Sequence, residues 1–238
     1  MKQTLSKLRR AVNDYSMINN DDKICVGISG GKDSMLLLKA LSLYSRFSPS
    51  PFDLTAVLID MGFGGDFSPL IHYAESLEIP LHIIPTSIGK IVFDERDEKN
   101  PCSLCAKLKR GALHNAALQF GCNKVALGHH SDDLAETLLM SVLYEGRINT
   151  FKAVTYLDRK KLTVIRPLIY MREKEILYAV NKNKIPFMKS GCPADGATKR
   201  ELMKQMMKKI SEIIPESDER IICSALPLAS NDSNAYQP

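Results

Sequence analysis

Ser29-Gly30-Gly31-Lys32-Asp33-Ser34 follows directly on the apolar run Ile24-Cys25-Val26-Gly27-Ile28. A buried strand that ends in two glycines and opens a helix lets backbone N–H groups approach a ligand closely and point outward. The helix N-terminus and Lys32 add positive potential, so the expected guest is a phosphate chain. The loop is not a Walker A sequence. Val26 stands where that motif has its first glycine, and Asp33 stands where it has a hydroxyl residue.

Thiols form the second set. Of six cysteines, Cys25 lies in a strand pattern, Cys122 follows Gly121 in a turn and Cys223 sits in an apolar run; all three are expected to pack as small core residues. Cys102 and Cys105 differ, because Pro101-Cys-Ser-Leu-Cys opens a helix. The two-residue gap lets both thiolates meet one metal centre, and a helix N-terminus is expected to lower their pKa. Cys192, in Gly191-Cys192-Pro193, lies on a loop able to turn inward as a third ligand. With no second Cys-x-x-Cys, a closed four-cysteine zinc site is disfavoured. Zinc with three cysteines and a histidine, a redox pair, and an iron–sulfur cluster with one iron lacking a protein ligand all remain open.

These groups need a frame. The chain has 238 residues, 45% hydrophobic and 25% charged, enough for one substantial core. Strands are predicted at 24–28, 55–60, 81–85, 124–127 and 162–165. Helices are predicted at 35–44, 69–77, 173–183 and 201–214, and after Asp133, where Leu134, Leu138 and Val142 recur beside Ala135, Leu139 and Leu143. In the 173–183 helix, Ile176, Leu177 and Val180 supply the apolar face. This alternation predicts an α/β fold, a Rossmann-like parallel sheet of about five strands with helices on both faces. Ligands then sit beyond the carboxyl ends of the strands, which puts the 29–34 loop, Asp60 and the stretch Gly128-His129-His130-Ser131-Asp132-Asp133 on one rim.

The expected organisation is an N-terminal helix (1–20), an α/β unit carrying the phosphate loop and the Cys-x-x-Cys segment (21–190), a C-terminal helical segment carrying the third cysteine (191–227) and a frayed tail (228–238). Met61 to Gly65 reads as a flexible loop, a candidate lid. No run approaches membrane-spanning length and the N-terminus lacks an apolar signal region, so the cytosol is expected. The net charge of +5 permits a polyanionic partner without requiring one.

Ser29 to Ser34 resembles the Ser-Gly-Gly-x-Asp-Ser PP-loop of the ATP pyrophosphatases, and the match is complete. Cys102-Ser-Leu-Cys105-Ala-Lys-Leu-Lys109-Arg110-Gly111, Gly128 to Thr137, and Arg166-Pro-Leu through Arg172-Glu-Lys-Glu-Ile176 resemble, in order, segments of the tRNA 2-thiocytidine synthetases, the TtcA family.

The resemblance implies an adenine nucleotide alpha hydrolase-like fold and ATP bound by Ser29, Gly30, Gly31, Lys32, Asp33, Ser34, Asp60, Gly128 and His129. It implies Mg2+ assisted by Asp33, and chemistry carried by Lys32, Lys109, Asp132 and Asp133. The acidic pair could equally cap a helix. It further implies a [4Fe-4S] cluster on Cys102, Cys105 and Cys192, with Arg110 gripping phosphate. The implied partners are tRNA and a sulfur donor, either a cysteine desulfurase or free sulfide, and a homodimer is left open. The implied reaction adenylates the C2 oxygen of a cytidine and replaces it with sulfur. Alternatives are a lysidine synthetase-like ligase, thiolation of another base, and a non-enzymatic nucleotide- and metal-binding module.

Overall fold

A computed structural model describes residues 1–95, 101–188, 191–192 and 198–230. Its sheet has six strands in the order β3-β2-β1-β4-β6-β5: β1 (Asp22–Ile28), β2 (Phe52–Asp60), β3 (Leu81–Pro85), β4 (Lys124–Ala126), β5 (Val154–Leu157) and β6 (Leu162–Ile165). All five expected strands are present and mutually parallel. The sixth, β5, is antiparallel to β6 and was not anticipated.

Strand β1 is central, with Val26 opposite Ala56 on one side and Ala126 on the other. The chain builds outward through β2 and β3, then crosses back to place β4 on the far side of β1. That reversal opens a crevice at the carboxyl ends of β1 and β4, where open α/β sheets take ligands. The 29–31 turn leaves β1 there, and Gly128 and His129 leave β4.

Helices cover both faces: α1 (Lys2–Asp14), α2 (Lys32–Ser45), α3 (Ser68–Ser76), α4 (Ile88–Lys90), α5 (Pro101–Gln119), α6 (Ser131–Met140), α7 (Glu173–Lys182), α8 (Lys199–Ile213) and α9 (Ser217–Ala225). One core joins α1, α2 and α7 to the sheet through Leu8, Leu37, Leu41, Ile176 and Val180. A second packs Leu113, Ala116 and Ala117 of α5 against Cys25, Val57 and Val125.

Local departures from expectation have physical causes. Helix α2 starts at Lys32, so Lys32, Asp33 and Ser34 form its first turn. After Met140 the backbone widens into a π-helix, Ser141–Glu145. The changed turn moves the register, and Val142 and Leu143 face solvent while Leu134, Ala135 and Leu138 stay buried. In α7, Ile176 and Val180 are buried but Leu177 turns outward. Cys25 and Cys122 are core residues as expected. Cys223 is exposed, because α9 buries its neighbours Ile222 and Ala225 instead. The tail docks further than expected: Ala229 is buried, its carbonyl accepts from Ala153 N–H, and Lys152 Nζ bonds the carbonyls of Leu228 and Ser230. The rest of that tail lies outside the described residues.

Candidate active site

The 29–34 loop is closed by its own hydroxyls. Ser34 Oγ donates to the Gly31 carbonyl (2.9 Å) and accepts from Ser29 N–H (3.2 Å), while Ser29 Oγ accepts from Gly31 N–H (3.3 Å). Gly30 takes φ +82°, a conformation that suits glycine. Gly128 fits against this turn backbone to backbone. A Cβ there would lie 2.9 Å from the Asp33 carbonyl carbon and 3.0 Å from Ser34 N.

Lys32 Nζ lies 2.9 Å from Glu173 Oε1 and 3.3 Å from Asp33 Oδ1. Burial would pull this ammonium down, but Asp33 and Glu173 together raise it. Asp33 Oδ1 is buried without a hydrogen-bond partner.

The Gly128–Asp133 stretch forms a charged knot behind the loop. His130 Nε2 sits 3.8 Å from Asp33 Oδ1 and 3.5 Å from Asp133 Oδ2, and its Nδ1 is 3.6 Å from Asp132 Oδ2. Burial lowers the imidazole, yet these three carboxylates lift it above its ordinary value. Asp133 Oδ2 caps α6 by accepting from His130 N–H, and Oδ1 takes Arg200 of α8 at 2.8 Å. Asp132 accepts from Arg172 Nε (3.1 Å) and Glu173 N–H (2.7 Å), tying α6 to α7. Burial would raise both acids, but His130 and these donors hold them well below the usual carboxylate range. His129 turns the other way, its Nδ1 accepting from Arg166 Nε at 3.2 Å. Burial, against the opposing charge of Asp133, takes it down to about 4, so it is neutral.

In front of the loop is a cavity of about 450 Å3. Ser29, Asp60, Cys105, Lys109 and Cys192 all line it, and Phe63 and Gly65 of the candidate lid form part of its wall. Asp60 Oδ1 also accepts from Gly62 N–H (2.9 Å), and the Phe63 ring meets Phe93 edge-on at 5.8 Å. Cys105 and Lys109 are one helical turn apart on α5, hence on the same face. Burial, then the Cys192 thiol, push Cys105 up while Lys109 draws it down, so the expected lowering by the helix end is reversed. Burial lowers the Lys109 ammonium against both thiols. Cys102 is exposed at the start of α5.

The structure therefore gathers Ser29, Asp60, Lys109, Cys105 and Cys192 around one space. Lys32, Asp33, Asp132 and Asp133 belong to the adjoining ion network, and His129 faces away. Sequence reasoning missed Glu173, Arg200 and Lys204, which complete that network. The pairing of Lys32 with Glu173 joins residues 141 positions apart, and no local pattern announces it.

Among the described residues, no three His, Cys, Asp or Glu side chains are close enough to hold a single metal ion. A four-iron cluster spaces its thiolates more widely than one ion does. Two cysteines walling one cavity, with a third a turn away, fit such a donor set. Asp33 Oδ1, near Lys32 yet without a hydrogen bond, fits a cation beside a phosphate chain.

A glycine phosphate cradle at the switch point of a parallel sheet defines an α/β nucleotide-binding protein, and residues 1–210 match the PP-loop domain family. The tRNA-cytidine(32) 2-sulfurtransferase of Pelobacter propionicus is 41% identical over 210 residues, covering 87% of this chain and 78% of the relative. That of Geobacter sulfurreducens is 35% identical, covering 99% and 91%. The U34-tRNA thiolase NcsA from Methanococcus maripaludis, solved with its [4Fe-4S] cluster, superposes with a TM-score of 0.77 at 25% identity, covering 94% of this chain and 76% of that one. The chain belongs to the PP-loop family and, within it, to the tRNA-cytidine(32) 2-sulfurtransferase family. No helix among the described residues is long and apolar enough to cross a membrane.

Proposed function

We propose that this protein is an ATP-dependent tRNA sulfurtransferase that converts a cytidine, at position 32 as in its named relatives, to 2-thiocytidine. The observation that carries the reading is one cavity lined both by the phosphate loop's Ser29 and by Cys105, Lys109 and Cys192. An activating half and a sulfur-delivering half share one space.

The C2 oxygen of cytidine attacks the α-phosphorus of ATP. The bond to the bridging oxygen breaks, and pyrophosphate leaves. Backbone N–H groups of the 29–34 loop, with Ser29, Ser34 and Lys32, take up the charge developing on pyrophosphate. Gly128 lets the second rim segment close against the loop, and His129 holds that segment through Arg166. Asp33, with Asp60, would hold Mg2+, which would supply further charge neutralisation. Asp133, joined to Asp33 through His130, sets the charge of the rim. Asp132 fixes α7 so that Glu173 meets Lys32.

Sulfide then attacks C2, the C2–O bond breaks, and AMP departs with the oxygen. No net oxidation or reduction occurs when sulfide is the donor. Cys102, Cys105 and Cys192 would hold a [4Fe-4S] cluster, which supplies one iron without a protein ligand, open to exogenous sulfide. Lys109 places a cation beside both the thiols and the adenylated oxygen, stabilising the leaving AMP. The donor is free sulfide, or a cysteine desulfurase whose persulfide a thiol reductant first releases as sulfide, and the site of action is the cytoplasm.

Mass spectrometry of tRNA nucleosides from a deletion strain tests the reaction. 2-Thiocytidine should vanish and return with the wild-type gene, but not with Cys105→Ala. Persistence of 2-thiocytidine in the deletion strain, or loss of 2-thiouridine instead, would overturn the reading.

A further inference from the structure

A second cavity, of about 490 Å3, lies on the opposite side of α5 from the thiols, between that helix and the β5–β6 hairpin. Arg110, Arg159, Lys160 and Arg166 wall it, against one carboxylate, Asp158. Arg110 and Arg159 are exposed and make no salt bridge or side-chain hydrogen bond among the described residues. His114 also lines the cavity at 5% exposure, and its Nε2 is buried with no hydrogen-bond partner. Guanidinium groups with no carboxylate partner, beside a buried imidazole nitrogen with no hydrogen-bond partner, are the groups an anion would satisfy.

We propose that this cavity is a phosphodiester-binding subsite that holds the backbone of the substrate RNA beside the nucleotide whose base enters the thiol-lined cavity.

Three observations favour an RNA strand over a lone phosphate or an acidic protein segment. The first is length. Lys160 lies in the hairpin turn and Arg166 at the far end of β6, so the basic wall spans the four residues of that strand, ~13 Å. That suits a run of backbone better than a single ion. The second is the remaining surface: Leu127, Leu157 and Val164 form apolar wall, and Tyr156 is 57% exposed, offering a face to sugars and bases. The third is position. Arg110 and His114 repeat on α5 the one-turn spacing of Cys105 and Lys109, on the opposite stripe of the same helix. A strand held by one stripe reaches the chemistry behind the other. Burial, then the Arg110 guanidinium, bring Arg166 down to about 10, which accords with uncompensated positive charge here.

The inference rests on the tRNA reading and is tested by tRNA binding itself. Fluorescence anisotropy with an unmodified tRNA transcript and the anaerobically purified full chain would be followed across a KCl series. Arg110→Gln combined with Arg159→Gln should weaken binding about tenfold and reduce the slope of log K against log[salt] by ~1.4–1.8, the share of two phosphate contacts. A control pair on α1, Lys2→Gln with Arg9→Gln, should change affinity by less than about twofold. Both targeted arginines are exposed, so an unchanged melting temperature certifies the fold. Equal weakening by the control pair would overturn the subsite, since charge anywhere would then suffice. So would unchanged tRNA binding by the Arg110/Arg159 pair. Inorganic phosphate that binds the wild type but not that pair, with tRNA affinity unaltered, would assign a free-anion site and overturn the RNA assignment. Wild-type protein that binds tRNA at this cavity yet makes no 2-thiocytidine would sink the proposed reaction and leave the subsite standing.

Discussion

Lys32 and Glu173 are ion-paired at 2.9 Å, and the same carboxylate takes Lys204 at 2.6 Å through its other oxygen. The lysine of the phosphate loop is already compensated, and an arriving triphosphate must exchange places with Glu173. Lys204 gives Glu173 somewhere to stay, so the exchange leaves no carboxylate unpaired.

Glu173→Gln removes the competing charge and keeps the shape. The affinity for a non-hydrolysable ATP analogue should rise about twofold to fivefold by isothermal titration, the scale of one partly exposed ion pair. Weaker binding would show instead that Glu173 helps to hold the nucleotide.

Cys105 and Lys109 share a face and a cavity but carry different expectations. Cys105→Ala should strip iron and visible absorbance from anaerobically purified protein. Lys109→Met should keep the iron and lose thiolation by about a hundredfold or more, the usual effect of removing a charge-stabilising group. Full iron content in Cys105→Ala, or normal turnover in Lys109→Met, contradicts the respective role.

Gly128 has backbone, not side chain, in front of it. In Gly128→Ala the methyl must push Asp33 and Ser34, because neither can rotate away. ATP affinity should fall by about tenfold or more, with a stability loss of ~1–3 kcal/mol. Wild-type nucleotide binding would mean the loop yields more easily than its packing indicates.

Glu136 is buried on α6, and burial, then the charge of Asp133, push it up to about 7. The folded protein therefore keeps a proton that the unfolded chain, with its ordinary value of 4.5, has released. Stability from this group is full below that lower value, falls as pH rises through about 7, and stays low above. Glu136→Gln should leave the melting temperature unchanged near pH ~4 and raise it near pH ~8, by an amount equivalent to about 1–3 kcal/mol. Equal melting temperatures at the higher pH would refute the assignment.

The sequence carries the frame through patterns that are local. The 24–28 run, the glycine turn and the residues after it declare strand, cradle and helix within a few positions. Strand β5 has no such mark. It is four residues long, its turn at 158–161 has no glycine, and Lys161 takes the left-handed position at φ +48°. The outward turn of Val142 and Leu143 depends on a π-helix that simple helical spacing does not foresee. At the site, the thiols and the loop were legible because motifs carry them. Glu173, Arg200 and Lys204 were not, since their roles arise only when α7 packs on α2 and α8 on α6. Arg110 stands beside a motif the sequence displays, but the cavity it lines needs the unforeseen hairpin.

The hydroxyl closure of the 29–34 loop decides when the ordering of that segment takes place. Ser29, Gly31 and Ser34 already hold one another, so the chain surrenders this loop's freedom while it folds. Nucleotide capture then becomes the docking of a rigid guest on a finished seat. Its heat-capacity change should reflect contact area alone, without the larger signature of a segment that folds on binding.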